Sequence, residues 1–204
     1  MQQHWEKVYA SEASNQVSWY QPHLESSLRL IERATSGDRS ASIVDIGGGA
    51  STLADDLIKC GYRNITVLDI SQGALDIARK HMAGLGEAIE WLRADITEST
   101  LPENSYDVWH DRAVFHFLTA PAERAAYVRN VVSAMKPGGH IIISAFGPEG
   151  PTQCSGLDVM RYDAATLHAE FGARLHLVES WEESHTTPFG TTQQFLYCHF
   201  TLNQ

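Results

Sequence analysis

Ser42-Ile43-Val44-Asp45-Ile46-Gly47-Gly48-Gly49-Ala50-Ser51-Thr52 reads as a buried strand that runs into a glycine turn and then into a helix beginning near Ser51. Ile43, Val44 and Ile46 supply the strand, and three successive glycines let the backbone turn sharply and approach a ligand closely. A helix behind such a turn aims its free N–H groups and the positive end of its dipole back at the ligand. Asp45 stands at the mouth of the turn, where its charge repels a phosphate and welcomes a cation or hydroxyls. The stretch therefore fits a nucleotide-like ligand that carries no phosphate at that point.

Working outward, Thr66-Val67-Leu68-Asp69 is the next strand, ended by an acid placed to hold a ribose by its hydroxyls. A dinucleotide fingerprint would be G-x-G-x-x-G, but Thr52 follows Gly47 and Gly49 where the third glycine belongs. The pair Asp45 and Asp69, with the glycine turn between them, resembles motifs I and II of the class I S-adenosylmethionine-dependent methyltransferases. The usual motif I, [D/E]-x-G-x-G-x-G, is met at Asp45, Gly47 and Gly49 but not at Ser51, a small residue that can also cap the helix. The resemblance runs from about Trp5 to Phe200. It implies S-adenosyl-L-methionine as cofactor and S-adenosyl-L-homocysteine as its product.

From Ile43 onward strand and helix alternate, which argues for a parallel sheet with helices on both faces. Leu53, Leu57 and Ile58 mark a crossover helix stopped by Gly61. Ser71 caps a helix through Leu75, Ala78 and Met82 that ends at Gly84 and Gly86. Ile89 to Leu92 is the third strand and Tyr106 to Trp109 the fourth. A helix from Glu123 to Met135 stops at Lys136-Pro137-Gly138-Gly139, before a strand at Ile141-Ile142-Ile143. The tail departs from this rhythm. After a Gly/Pro-rich loop (Gly147 to Gly156) and a helix from Tyr162 to Phe171, Arg174 to Glu182 and Thr192 to Leu202 read as two long strands. Their connection is too short for a crossover helix, so they pair antiparallel. The expected architecture is α/β: a Rossmann-like, doubly wound, seven-stranded sheet, mostly parallel, with an antiparallel C-terminal strand pair. That ending and Thr52 both disfavour a nicotinamide-dependent oxidoreductase.

The 204 residues suit one domain, with an arm over 1–33 and a core over 42–204. Hydrophobic residues make up 43% and charged residues 20%, which argues against wholesale disorder. The net charge of −10, with no Lys/Arg-rich run, disfavours a nucleic-acid acceptor. Cys60, Cys154 and Cys198 form neither a disulfide framework nor a zinc pattern, so no metal is expected. Neither a signal peptide nor a membrane-spanning run is read. The expected location is the cytoplasm, and the oligomeric state stays open.

The resemblance also distributes roles among the polar residues. It implies that the cofactor lies across Asp45, Gly47, Gly48 and Gly49, across Asp69 and Ile70, and across Asp95 and Ile96, with Asp95 on the adenine amino group. Its methyl would point toward His110-Asp111-Arg112. An N-terminal aromatic pair, Trp19-Tyr20, resembles the lid that folds over the cofactor in small methyltransferases. If a helix starts at Asp111, then Arg112 and His116 share a face. Asp111 or His116 then orients or deprotonates the acceptor and Arg112 supplies a charge contact; the alternative is a structural ion pair with a half-buried histidine. Cys154, in a polar loop, could touch a soft acceptor, and Arg161 could bind an anionic one or face solvent. With no inserted domain to read a large partner, a small-molecule acceptor is expected. The Trp5-Glu6-x-x-Tyr9 start resembles one shared by small-molecule and protein-lysine methylating enzymes, so a protein-lysine methyltransferase and a non-catalytic cofactor-binding domain are the alternatives.

Overall fold

The computed structural model describes residues 1–11, 16–82 and 89–203. The expected helix end at Gly84 and Gly86 lies outside the described residues. Parallel strands β1 (Ser42–Ile46), β2 (Asn64–Asp69), β3 (Ile89–Arg93) and β4 (Tyr106–Arg112) build one half of the sheet. Strand β5 (Met135–Phe146) continues it in parallel. Two two-residue strands, β6 (Gln153–Cys154) and β7 (Leu157–Asp158), form a separate small hairpin. Strands β8 (Leu175–Thr186) and β9 (Thr192–Leu202) complete the main sheet in the order β3-β2-β1-β4-β5-β9-β8, with both β9 contacts antiparallel. Strand order reverses between β1 and β4, so the strand ends on either side of that gap face a crevice.

Helices cover both faces because the central strands are apolar on both. Helix α2 (Glu25–Ala34) precedes β1, α3 (Leu53–Lys59) connects β1 to β2, and α4 (Gln72–His81) follows β2 before β3. Ile43, Val67 and Val108 share one apolar cluster with Leu30, Ile31, Leu57 and Leu75. On the other face α5 (Pro121–Ala134) and α6 (Ala164–Phe171) close over Val44, Trp109 and Ile141. The Ser71 cap forms as expected, its hydroxyl accepting from Ala74 N–H, and Asp163 caps α6 by accepting from Thr166 N–H at 2.7 Å. Helix α1 (Gln2–Ser11) begins the arm, and none of its residues is fully buried.

Two local expectations change. The Lys136-Pro137-Gly138-Gly139 link is not a free connection, because β5 already starts at Met135, paired with Tyr106; the register then shifts between Tyr106 and Val108. Lys136 Nζ donates to Asp107 Oδ2 across that irregularity at 2.7 Å. The second change decides the site. Residues 111 and 112 are strand, not helix, so neighbouring side chains point to opposite faces. His110 and Arg112 face α2 and the arm, whereas Trp109 and Asp111 face α5.

On the α5 face Asp111 is fully buried and accepts from Tyr127 O–H at 2.6 Å and from Val114 and Phe115 N–H at 2.8 and 3.1 Å. Tyr127 O–H in turn accepts from Trp109 Nε1–H at 2.8 Å. This carboxylate anchors a turn in which Ala113 takes φ 71°, a left-handed backbone that costs a non-glycine residue about 1–2 kcal/mol. A Tyr127→Phe variant strips one bond from Asp111 and leaves Trp109 Nε1–H unpaired in the core. We expect urea unfolding to show a loss of about 1–3 kcal/mol. A change within about 0.5 kcal/mol would refute that role of the hydroxyl.

Candidate functional site

A cavity opens at the carboxyl ends of β1 to β4, between the glycine turn and the N-terminal arm. It encloses about 1250 Å³ of empty space, part of it continuous with solvent. Asp45, Asp69, Asp95 and Arg112 line it at successive strand ends, with Trp5 and Trp19 on its outer wall.

Asp45 is 2% exposed and uses only half of its hydrogen-bonding capacity. Its Oδ1 accepts from His110 Nδ1–H at 2.7 Å, and its Oδ2 is buried with no partner among the described residues. His110 Nε2 then accepts from the Ser27 hydroxyl at 2.8 Å. Ser27 and His110 are themselves buried. This three-membered chain fixes the carboxylate plane and leaves one oxygen for a cation or donor from the cavity. Sequence reasoning missed Ser27, although a polar residue on the same helix face as Leu30 and Ile31 was the available signal.

The glycines are required for three separate reasons. Gly47 has φ +70°, and a Cβ there would stand 2.1 Å from Val114 Cγ2. At Gly48 a Cβ would fall 2.2 Å from Asp45 Oδ2, and at Gly49 2.6 Å from Asp69 Oδ2. Gly48 therefore makes room for one acid and Gly49 for the other. Gly47 and Gly48 line the cavity, whereas Gly49 lies behind it and donates N–H to Asp69 Oδ2 at 3.0 Å.

Asp69 also accepts from Ser71 N–H at 2.8 Å. Burial pushes its carboxyl up to about 6 against those two backbone bonds, with the charges of Asp45 and Glu6 adding to the rise. Asp95 lines the cavity while its Oδ1 accepts from Thr97 N–H and Oγ1–H at 2.9 and 2.7 Å, so one carboxylate both caps the turn that follows β3 and faces the cavity. Ile70 and Ile96 complete this half.

The arm is tied down by polar contacts. Glu6, given no role of its own in the sequence, accepts from Gln72 and Gly73 N–H at 2.8 and 3.1 Å and from Ser71 O–H at 3.1 Å, at the first turn of α4. Burial raises the Glu6 carboxyl, but these bonds outweigh it and hold the group below its ordinary value. Farther along, Arg112 Nη1–H donates to Trp19 C=O at 2.8 Å and Thr52 O–H to Gln21 C=O at 3.1 Å. His185 Nε2–H donates to Ser18 C=O at 2.8 Å. Trp5 meets Trp19 and Phe117 edge-on, at centroid distances of 5.7 and 5.1 Å.

Two expectations fail on geometry, those for Asp111 and His116. Asp111 faces α5, for the strand-alternation reason already given, and does not line the cavity. His116 is buried in a 3-10 turn (Phe115–Phe117), where its Nδ1 accepts from Phe146 N–H at 3.3 Å; it too lies off the cavity. Burial, with the Arg112 charge adding, drives its imidazole down to about 3, so it stays neutral. Of the two readings of Arg161, the solvent-facing one holds: it is exposed and donates to Pro148 C=O at 2.7 Å away from the cavity, and neighbouring Tyr162 is core. Cys154 does line the cavity, but as a buried member of β6 and not in a polar loop, and burial pushes its thiol up to about 11. Among the described residues no cluster could hold a metal ion, and no helix is long and apolar enough to cross a membrane.

Residues 43–139 match the family model described as a methyltransferase domain. The reversed strand order, the antiparallel ending and the acids at three successive strand ends agree with that match, and the chain is similar to the class I S-adenosylmethionine-dependent methyltransferases. A malonyl-[acyl-carrier protein] O-methyltransferase of Halalkalibacterium halodurans is 30% identical over 122 residues, covering 58% of this chain and 44% of that protein. An eEF1A lysine and N-terminal methyltransferase homolog of Drosophila melanogaster is 27% identical, covering 68% of this chain and 21% of that protein. The chain thus spans less than half the length of these two relatives. The structure of N-methyltransferase NodS from Bradyrhizobium japonicum WM9, in complex with S-adenosyl-l-homocysteine, shares the fold at TM-score 0.73 and 18% identity, covering 98% of each chain.

A Gly47→Ala variant tests the turn. The methyl group meets Val114, and the backbone angle is unfavourable to it. We expect a folded protein by circular dichroism whose S-adenosylhomocysteine affinity, measured by calorimetry, falls at least about tenfold, since displacing Val114 disturbs the cavity wall. Unchanged affinity would refute the demand for glycine at that position.

Proposed function

We propose that the cavity binds S-adenosyl-L-methionine along the ends of β1, β2 and β3, and that the chain transfers its methyl group to a small molecule entering between β4 and the arm. The observation that carries this reading is the unpartnered Asp45 Oδ2, buried beside the glycine turn with acids at the next two strand ends. A cofactor with an ammonium, a ribose and an adenine amino group offers donors to all three acids: Asp45 would take the ammonium, Asp69 the ribose hydroxyls and Asp95 the adenine. When bound, it supplies a sulfonium methyl whose displacement is an in-line reaction.

The chain's own contribution is positional. The Ser27–His110–Asp45 chain keeps one carboxylate oxygen aimed at the cavity, and Trp5 and Trp19 cover it, limiting water. Asp111 and His116 take no part in moving a proton on the acceptor, because neither lines the cavity; Asp111 holds the β4 turn that brings Val114 to the cavity wall. A non-catalytic binding domain and a lysine-methylating enzyme are the competing readings.

Methyl-labelled cofactor, incubated with small thiols, phenols, amines and carboxylic acids and separately with protein substrates, distinguishes them. We expect label on a small molecule. Transfer only to protein lysine would favour the lysine reading, and S-adenosylhomocysteine binding without any transfer the non-catalytic one.

The protonation of Asp69 gives a pH signature. Ribose hydroxyls donate to the ionised carboxylate, so affinity for S-adenosylhomocysteine is complete above about pH 6 and falls as pH drops through it, by up to about tenfold per unit. Calorimetry across that range should show the fall in the wild type and a weaker, pH-independent affinity in Asp69→Asn. A flat wild-type profile would separate Asp69 from the ligand.

A further inference from the structure

Arg112 is a charged group whose requirements the protein meets only in part. It rises from the end of β4 toward the β5–β9 side of the cavity, away from the acids of β1 to β3. Its Nη1–H donates to Trp19 C=O at 2.8 Å and its Nε–H to Tyr197 O–H at 3.2 Å, while the guanidinium carbon lies 4.6 Å from the centroid of the Phe195 ring. Nη2 is buried with no partner among the described residues. None of the ion pairs among the described residues involves this guanidinium. A cation removed from water without a counter-ion is costly, and a planar guanidinium with a free N–H matches a carboxylate.

A second observation concerns bases. Acceptors that are protonated at neutral pH need a proton acceptor beside them. On this side of the cavity His110 has both ring nitrogens engaged, while Asp111 and His116 are outside. Burial leaves the Cys154 thiol and the Tyr9 hydroxyl protonated at neutral pH. The surrounding wall is aromatic and aliphatic, with Trp5, Trp19, Phe117 and Val114. This half of the cavity is therefore built for a ligand with an apolar body that arrives already anionic.

We infer that the acceptor is a small carboxylic acid with an apolar or aromatic body, whose carboxylate pairs with Arg112 beneath Trp19. The inference rests on the cavity being the methyl-transfer site. It also weighs against a lysine side chain, whose ammonium would meet an unneutralised guanidinium.

Matched probes test it: phenylacetate and phenylacetamide, titrated by calorimetry into protein saturated with S-adenosylhomocysteine. They have similar shape and differ in charge. We expect the acid to bind at least about tenfold tighter than the amide, as one charge-assisted bond implies. Arg112→Met should reduce that preference below about threefold, and Arg112→Lys, which keeps the charge but loses the planar fork, should retain part of it. Equal binding of acid and amide to the wild type overturns the inference, as does a preference that survives Arg112→Met. A third control concerns the cofactor's own carboxylate. If Arg112→Met weakens S-adenosylhomocysteine about tenfold and leaves methylthioadenosine unaffected, Arg112 serves the cofactor and the inference falls. Failure of wild-type protein to bind S-adenosylhomocysteine would instead strike the methyl-transfer reading itself.

Discussion

A carboxylate buried at the end of β1 is the constraint around which this structure closes. Removing the Asp45 charge from water is unfavourable unless its oxygens find donors. The register that pairs Asp45 with His110 provides one donor. Helix α2 brings Ser27 against the far side of that imidazole. The remaining oxygen occupies the space that a side chain at position 48 would fill. Strand register, helix docking and a glycine thus all serve one acid, which is left with one oxygen to offer a ligand. Gly49 repeats the device for Asp69 one strand away.

Strand β4 separates structural from ligand-facing work by simple alternation. Trp109 and Asp111 turn toward α5 and join Tyr127 in a buried network that holds the strained turn at Ala113. His110 and Arg112 turn toward the cavity. The strain at Ala113 is local, but it sets Val114 against the glycine turn, so the α5 core and the cavity wall are mechanically continuous. A buried network with every member bonded is rigid, which suits a wall that must hold two reactants in line.

The arm is held differently. Helix α1 has no fully buried residue, and its attachment depends on Glu6 at the first turn of α4 and on edge-on aromatic contacts. The loop that follows is pinned through its carbonyl groups, by Arg112, His185 and Thr52. Segments with little buried apolar area are the ones that open at low free-energy cost. A cover of this kind can admit ligands without disturbing the sheet. Arg112 belongs both to this fastening and to the cavity, so an anion beside it would be felt by Trp19.

Much of the fold was written in local pattern. The apolar strand, glycine turn and acid of β1, the acids ending β2 and following β3, and the two long strands of the tail are short-range signals, and each was legible because neighbouring residues create it. The sequence also brought Asp45, Asp69, Asp95 and Arg112 to one site by the rule that ligands gather at the carboxyl ends of such sheets. Only the tertiary structure decided which of the polar residues at 110–116 face the cavity. Helical spacing put Arg112 and His116 together, whereas one more strand pairing with β5 sends Asp111 and Arg112 to opposite faces and carries His116 into the core. The roles of Ser27 and Glu6 were not legible for a related reason. Their partners, His110 and the first turn of α4, lie 83 and about 66 residues away, and no local period records a hydrogen bond that exists only after the chain has folded.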